Sequence, residues 1–167
     1  MQVIPPEGDL EGVFISNYRS ANNEAKFRYV DIGAVLCMMK VNEKDYKPLK
    51  FLAKSKEKAH EAKVKIFDVN DTEVSDMSRY FFEAAKYLHE WRKEENVLVQ
   101  CEGDELSRST AIIIAYLLIY YKLTYEEALE RIRTEYRFAT PNFGFKMQLI
   151  SLQKLLAIDF KKFEGEI

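Results

Sequence analysis

Short apolar runs alternate along this chain with longer stretches of helical periodicity. Residues 13–15, 34–38, 65–69 and 97–100 read as strands, being brief, apolar and rich in Val, Ile and Phe. Residues 76–93 are the clearest amphipathic helix: Met77, Tyr80, Phe81, Ala84, Leu88 and Trp91 recur at three- and four-residue steps. From Ser109 to Tyr121 the pattern is apolar on every side, which suits a helix only when protein or lipid surrounds it. The run is shorter than the ~20 residues a membrane span needs, so it predicts a buried central helix. Thr124 with Glu127 forms a capping-box signature, and Tyr125, Ala128, Leu129, Ile132 and Tyr136 mark one face of the helix it opens. Pro141 ends that pattern, and a last helix follows with Phe145, Leu149, Leu152 and Leu156 inward, before a charged tail at 161–167. Strands alternating with helices predict an α/β domain, with a central, mostly parallel twisted sheet of four to five strands flanked by helices.

Composition narrows the picture. The chain has 167 residues, 47% hydrophobic and 31% charged, which suits one domain with a full core over residues 1–167. A net charge of −2 supplies no global positive field, so nucleic acid and anionic membranes are not expected partners. The segment 42–63 differs in kind: seven lysines crowd together, diluted by Glu43, Asp45, Glu57 and Glu61, and it reads as a solvated, variable insert. The first ten residues lack a basic leader and an apolar core, and Gln2 is no myristoyl acceptor, so secretion is not expected. Cys37 and Cys101 do not form a disulfide or zinc pattern, which points to a cytoplasmic or nuclear setting. Cys37 reads as core filling, and Tyr116, Tyr120 and Tyr121 as packing residues. His60 and His89 have no ligand spacing, read as surface residues, and no metal or other cofactor is expected.

Chemistry concentrates at one place. The strand ending in Gln100 and Cys101 runs into Glu102, Gly103, Asp104, Glu105, Leu106 and Ser107, after which Arg108 and Ser109 open the buried helix. Strand, tight loop and helix N-terminus make an anion site, because unpaired N–H groups and the positive helix end converge there. A cysteine at the start of such a loop has its thiolate favoured, and an arginine at its far end can grip two phosphate oxygens.

The run VLVQCEGDELSRSTAIIIAYL, residues 97–117, resembles the signature segment of the dual-specificity, cysteine-dependent protein phosphatases. Val69-Asn70-Asp71-Thr72, followed by Asp76-Met77-Ser78 and Phe81-Phe82, resembles that family's general-acid loop. Pro141-Asn142-Phe143-Gly144-Phe145 with Gln148-Leu149 resembles its C-terminal segment, and Gly12 to Ser16 its opening strand. The resemblance implies a phosphatase fold in which Cys101 is a nucleophile forming a phosphocysteine, Arg108 a phosphate clamp, Ser109 a hydroxyl steadying the thiolate and Asp71 the general acid. No metal is implied, since loop amides and one guanidinium neutralise the phosphoryl charge.

The chain also departs from that pattern. Six residues, Glu102 to Ser107, separate Cys101 from Arg108 where the family has five, Gln100 replaces a histidine, and the family's glycine before the serine-arginine ending has no counterpart. Glu102, Asp104 and Glu105 put three negative charges into a loop that should receive a dianion, and are expected to repel it and to raise the Cys101 pKa. The expectation is a phosphatase-like domain with impaired catalysis, a pseudophosphatase that binds a protein or phosphoprotein partner. The alternative is a working phosphatase with a rebuilt loop, acting on phosphotyrosine, phosphoserine or phosphothreonine. A site for another phosphorylated ligand, a lipid, a sugar or an RNA end, is the third reading.

Overall fold

A computed structural model describes residues 1–21, 30–41 and 62–164. Among them the strands are β1 (Gln2–Ile4), β2 (Val13–Asn17), β3 (Ile32–Cys37), β4 (Lys63–Ile66) and β5 (Asn96–Cys101). The helices are α1 (Tyr18–Ala21), α2 (Phe81–Trp91), α3 (Ser107–Tyr121), α4 (Tyr125–Glu135) and α5 (Phe143–Glu164), with a 3-10 turn at Ser78–Tyr80 leading into α2. The strands form one sheet in the order β1-β2-β5-β3-β4, parallel except for β1. This is the expected α/β architecture with a mostly parallel, five-stranded sheet.

The register decides where chemistry can sit. Asn17 pairs with Cys101 across β2 and β5, and Cys37 pairs with Gln100 across β3 and β5. Three strands therefore end side by side with their carboxyl ends at one edge, the edge where ligands bind in parallel α/β sheets. Side chains alternate along β5: Val97, Val99 and Cys101 enter the large core beneath α2 to α5, whereas Leu98 joins Cys37 and Val35 in a second cluster on the opposite face.

Helix α3 is the centre of the large core. Ile112, Ile113, Ile114, Tyr116 and Leu117 are all fully buried, which accounts for the all-round apolar pattern. Each such side chain stabilises the buried arrangement by about 1.5–3 kcal/mol, so the helix cannot roll without large loss, and the residues at its N-terminus are fixed with it. Thr124 caps α4 as the sequence predicts, its hydroxyl accepting from Glu127 N while Glu127 accepts from Thr124 N. Phe145 and Leu149 are fully buried on α5, and Leu152 nearly so.

Several sequence expectations shift. The third expected strand lies at Lys63–Ile66 rather than 65–69, so Lys63 belongs to the sheet and not to the lysine-rich stretch. Residues 67–69 leave the sheet with Phe67 and Val69 buried under Tyr80 and its neighbours. The expected helix over 76–93 begins as the 3-10 turn, and β1 has no counterpart among the expected strands, being three residues long. Residues 161–164 continue α5 instead of fraying. His89 is half-buried and stacked on Tyr120 with ring centroids 4.2 Å apart, so it is not a surface histidine. Residues 42–61, including His60, lie outside the described residues.

The tyrosines of α3 pack, as expected, but they also serve a buried cation. Arg92, fully buried just after α2, donates to Tyr116 OH (2.8 Å), Tyr121 OH (2.7 Å) and the carbonyls of Pro5 and Glu11. That set ties the first residues of the chain to α2 and α3, meeting the rule that a buried charge needs its donors satisfied.

Candidate active site

The site grows from the end of β5. Cys101 is fully buried, the chain bends through Glu102–Glu105, and Leu106 enters α3 with a left-handed backbone (φ 51°). Gly103 also has positive φ (90°), where glycine carries no penalty. Leucine in that region costs on the order of 1–2 kcal/mol, and such conformations persist where the surroundings over-determine them.

Those surroundings are visible as three successive braces. Asn17 Nδ2 donates to Gly103 O (3.0 Å), the Tyr136 hydroxyl donates to Asp104 O, and Thr140 N donates to Glu105 O (3.1 Å). In a trans peptide the N–H points opposite to the carbonyl, so the N–H groups of Asp104, Glu105 and Leu106 are turned away from the braces. Glu102 behaves differently: its carbonyl faces Arg108 Nη2 at 3.5 Å, while Arg108 Nη1 donates to Val69 O at 3.0 Å. Arg108 is only 7% exposed, and its Nε finds no partner among the described residues. The hydroxyls of Ser109 and Thr110 are likewise buried without a conventional partner. Orphaned buried donors of this kind mark a place completed by a ligand or by a change of charge.

Asp71 reaches the same place from the segment after β4. Asn142 Nδ2 donates to Asp71 Oδ1 (2.8 Å), Asn142 N donates to Ser107 Oγ (2.8 Å), and Asn142 Oδ1 accepts from Phe145 N (2.9 Å), capping α5. One asparagine thus joins the acid, the end of the loop and the last helix. The segment is pinned further by Gln148, whose Oε1 accepts from Met77 N and Ser78 N and whose Nε2 donates to Ser75 O. Gly144 lies so close to the Glu73 backbone that no Cβ fits between them.

Burial pushes the Cys101 thiol up; the hydroxyl and N–H of Ser109 and the Arg108 charge pull it down, and Asp71 pushes it up again. Asp71, Arg108 and Ser109 therefore all act on the same sulfur. Tyr136 is a neighbour too: burial first, then the charges of Asp104 and Cys101, push its hydroxyl up. Glu102, Asp104 and Glu105 are exposed, and none is ion-paired among the described residues. The sequence predicts that these acids repel a dianion and raise the Cys101 thiol; their side chains are exposed, and burial and Asp71, not these acids, push the thiol up.

The model of the dual specificity phosphatase catalytic domain matches residues 13–155. The chain belongs to that family. It is 27% identical over 146 residues to mouse dual specificity protein phosphatase 22, covering 87% of this chain and 72% of that protein. It is also 27% identical over 152 residues to the MAP kinase phosphatase with leucine-rich repeats protein 3 of Dictyostelium discoideum, covering 90% of this chain but 16% of that protein. With bovine dual specificity protein phosphatase 26 it shares 34% identity over 91 residues, which is 53% of this chain and 42% of that one. The chain thus spans well under two thirds of two of these three relatives. Among solved structures, human DUSP28 superposes with a TM-score of 0.72 at 19% identity, covering 88% of this chain and 94% of that one. The human tyrosine phosphatase-like serine/threonine/tyrosine-interacting protein superposes with a TM-score of 0.68 at 22% identity, covering 92% and 96%.

This phosphatase domain also holds site residues that sequence reasoning did not single out: Asn17, Tyr136 and the Val69 carbonyl, with Asn142 and Gln148 recognised only as part of a motif. Asn17 becomes legible only through the β2–β5 register, which sets it beside Cys101. Among the described residues no group of three or more His, Cys, Asp or Glu could hold a metal ion, and no helix is long and apolar enough to cross a membrane.

Proposed function

We propose that this dual specificity phosphatase domain recognises phosphorylated protein residues and acts chiefly by holding them, its hydrolytic step being slow. The observation that carries the reading is the state of the clamp. The Arg108 fork, buried at 7% exposure, is already engaged by the carbonyls of Val69 and Glu102, while burial pushes the Cys101 thiol up. An incoming phosphoryl group must compete with the Glu102 carbonyl that faces Arg108, and it meets a thiol that burial pushes up.

The orphaned Arg108 Nε and the three N–H groups turned from the braces supply recognition. In the chemical step Cys101 Sγ attacks phosphorus, the bond from phosphorus to the ester oxygen breaks, and Asp71 gives that oxygen its proton. Water then cleaves the phosphocysteine, returning the thiolate and inorganic phosphate. A second reading, an efficient enzyme, is favoured by one observation: the three loop carboxylates face solvent instead of filling the pocket. We read the domain as 1–167 with 42–62 as a variable insert, Lys63 opening β4. The thiols of Cys37 and Cys101 are not joined in a disulfide, which suits a cytoplasmic or nuclear setting.

Two measurements test this together: hydrolysis of a small aryl phosphate from pH 5 to 8 against a Cys101→Ser control, and the melting temperature with and without orthovanadate. Slow, Cys101-dependent turnover with clear stabilisation by the oxyanion is the expected result. A rapid rate lost in the control replaces this reading with the efficient enzyme, and absence of any oxyanion effect overturns phosphate recognition altogether.

A further inference from the structure

The loop that surrounds the anion position carries three exposed carboxylates without ion-pair partners among the described residues, Glu102, Asp104 and Glu105. They sit on the loop leading to a centre built for the opposite charge, where Arg108 is nine-tenths buried with an unpartnered Nε. A ligand that satisfies both must be negative at its middle and positive at its flank. Beside the loop opens a cavity of about 500 Å³, with walls from Phe14, Ile15 and Leu106 and polar edges from Ser16, Asp104 and Tyr136. Apolar walls with a carboxylate and an aromatic ring at the edge fit the long methylene stem and terminal charge of Lys or Arg.

We propose that the phosphorylated segment this domain recognises carries Lys or Arg next to the phosphorylated residue, the basic side chain entering the cavity on the Asp104 side. The inference rests on phosphoprotein recognition at Arg108 and names the sequence class of that partner. The acidic rim then acts as a filter. It repels phosphosites flanked by Asp or Glu, which would place a second negative charge against the rim, and it draws in basic-flanked ones, which neutralise it. The braces couple the two halves, since Tyr136 both lines the cavity and holds the Asp104 carbonyl.

Single exposed ion pairs change an equilibrium by roughly two- to threefold, so three carboxylates together give about a tenfold preference of basic over neutral flanks. The test is fluorescence anisotropy of the whole chain carrying Cys101→Ser, with phosphotyrosine peptides identical except for Lys/Arg, Ser/Gly or Asp/Glu flanks, and with the basic peptide lacking phosphate. The expected order of affinity is basic, neutral, acidic, with no measurable binding of the unphosphorylated peptide. Asp104→Asn should shrink the ratio of basic to neutral affinity about two- to threefold, and Asp104→Glu should restore it. Equal binding of the three phosphopeptides overturns this inference while leaving phosphate recognition standing. Equal binding of the basic peptide with and without phosphate overturns both the inference and phosphate recognition. Failure of every phosphopeptide to bind overturns both readings.

Discussion

Replacing Ser109 by alanine separates stability from chemistry at this site. The Ser109 hydroxyl is fully buried and makes no hydrogen bond of conventional geometry, yet it lies against Cys101 Sγ and, after burial, exerts the largest influence on that thiol, pulling it down. A hydroxyl in that position has a strong acceptor only when the sulfur is a thiolate, the neutral thiol being a weak partner. With the thiol protonated, an unsatisfied buried hydroxyl costs about 1–3 kcal/mol, so Ser109→Ala should leave the fold as stable or more so. For a domain of this size each kcal/mol corresponds to about 2–4 °C in melting temperature. A hydrogen bond to a charged group contributes roughly 1.5 kcal/mol, so its loss should make the thiolate about tenfold scarcer at a fixed pH below its titration. The assays are thermal melting, and iodoacetamide alkylation of Cys101 between pH 6 and 10 with Cys101→Ser as background. The expected outcome is an unchanged or raised melting temperature with alkylation slowed about tenfold throughout the lower part of the range. A melting temperature several degrees lower, with alkylation unchanged, would refute the argument, because Ser109 would then be a structural hydrogen-bond partner and not a donor to the thiolate.

Other positions allow equally direct tests. Gly144→Ala drives a Cβ into the Glu73 backbone; overpacking of about 1–3 kcal/mol should displace the segment bearing Asp71, lowering aryl-phosphate turnover while oxyanion stabilisation, which depends on Arg108, persists. Tyr136→Phe removes the brace on Asp104 O, worth about 1 kcal/mol, and should weaken vanadate binding about fivefold in a melting-temperature titration. Burial raises Cys101 above its ordinary 9.0 and Tyr116 above its ordinary 10.0, so the unfolded chain releases these protons first as pH rises. Stability is therefore fully present below about pH 9 and is lost progressively above it, which urea denaturation at pH 7, 9 and 10.5 should register, with Cys101→Ser removing the earliest part of the loss.

Much of the fold was legible because its signals are periodic and local. The all-round apolar pattern from Ser109 to Tyr121 could belong only to a surrounded helix, and the reciprocal bonds of Thr124 and Glu127 follow from two residue types at fixed spacing. Strand edges were less legible: three-residue β1 carries too short a pattern, and the apolar Phe67 and Val69 are buried outside the sheet, so hydrophobicity alone misplaced β4. Cys101, Arg108, Ser109 and Asp71 were singled out from motif order, and the structure places the last three close enough to influence the Cys101 thiol. What held them there was not legible, because Asn17, Tyr136 and Asn142 act across 32 to 86 residues of sequence.

The loop shows what charge counting from sequence leaves out. Counting Glu102, Asp104 and Glu105 against an incoming phosphate assumes that side chains in a tight turn point inward. Orientation is instead set by the backbone: braces on the carbonyls of Gly103, Asp104 and Glu105 orient those peptide units, and the acidic side chains are left in solvent. What is unusual in the loop lies in its backbone: the Glu102 carbonyl faces Arg108, and Leu106 takes a left-handed conformation to enter α3. On the proposed reading, the obstacle to hydrolysis is the Glu102 carbonyl facing Arg108 together with the buried Cys101 thiol, and the exposed acids act on what approaches.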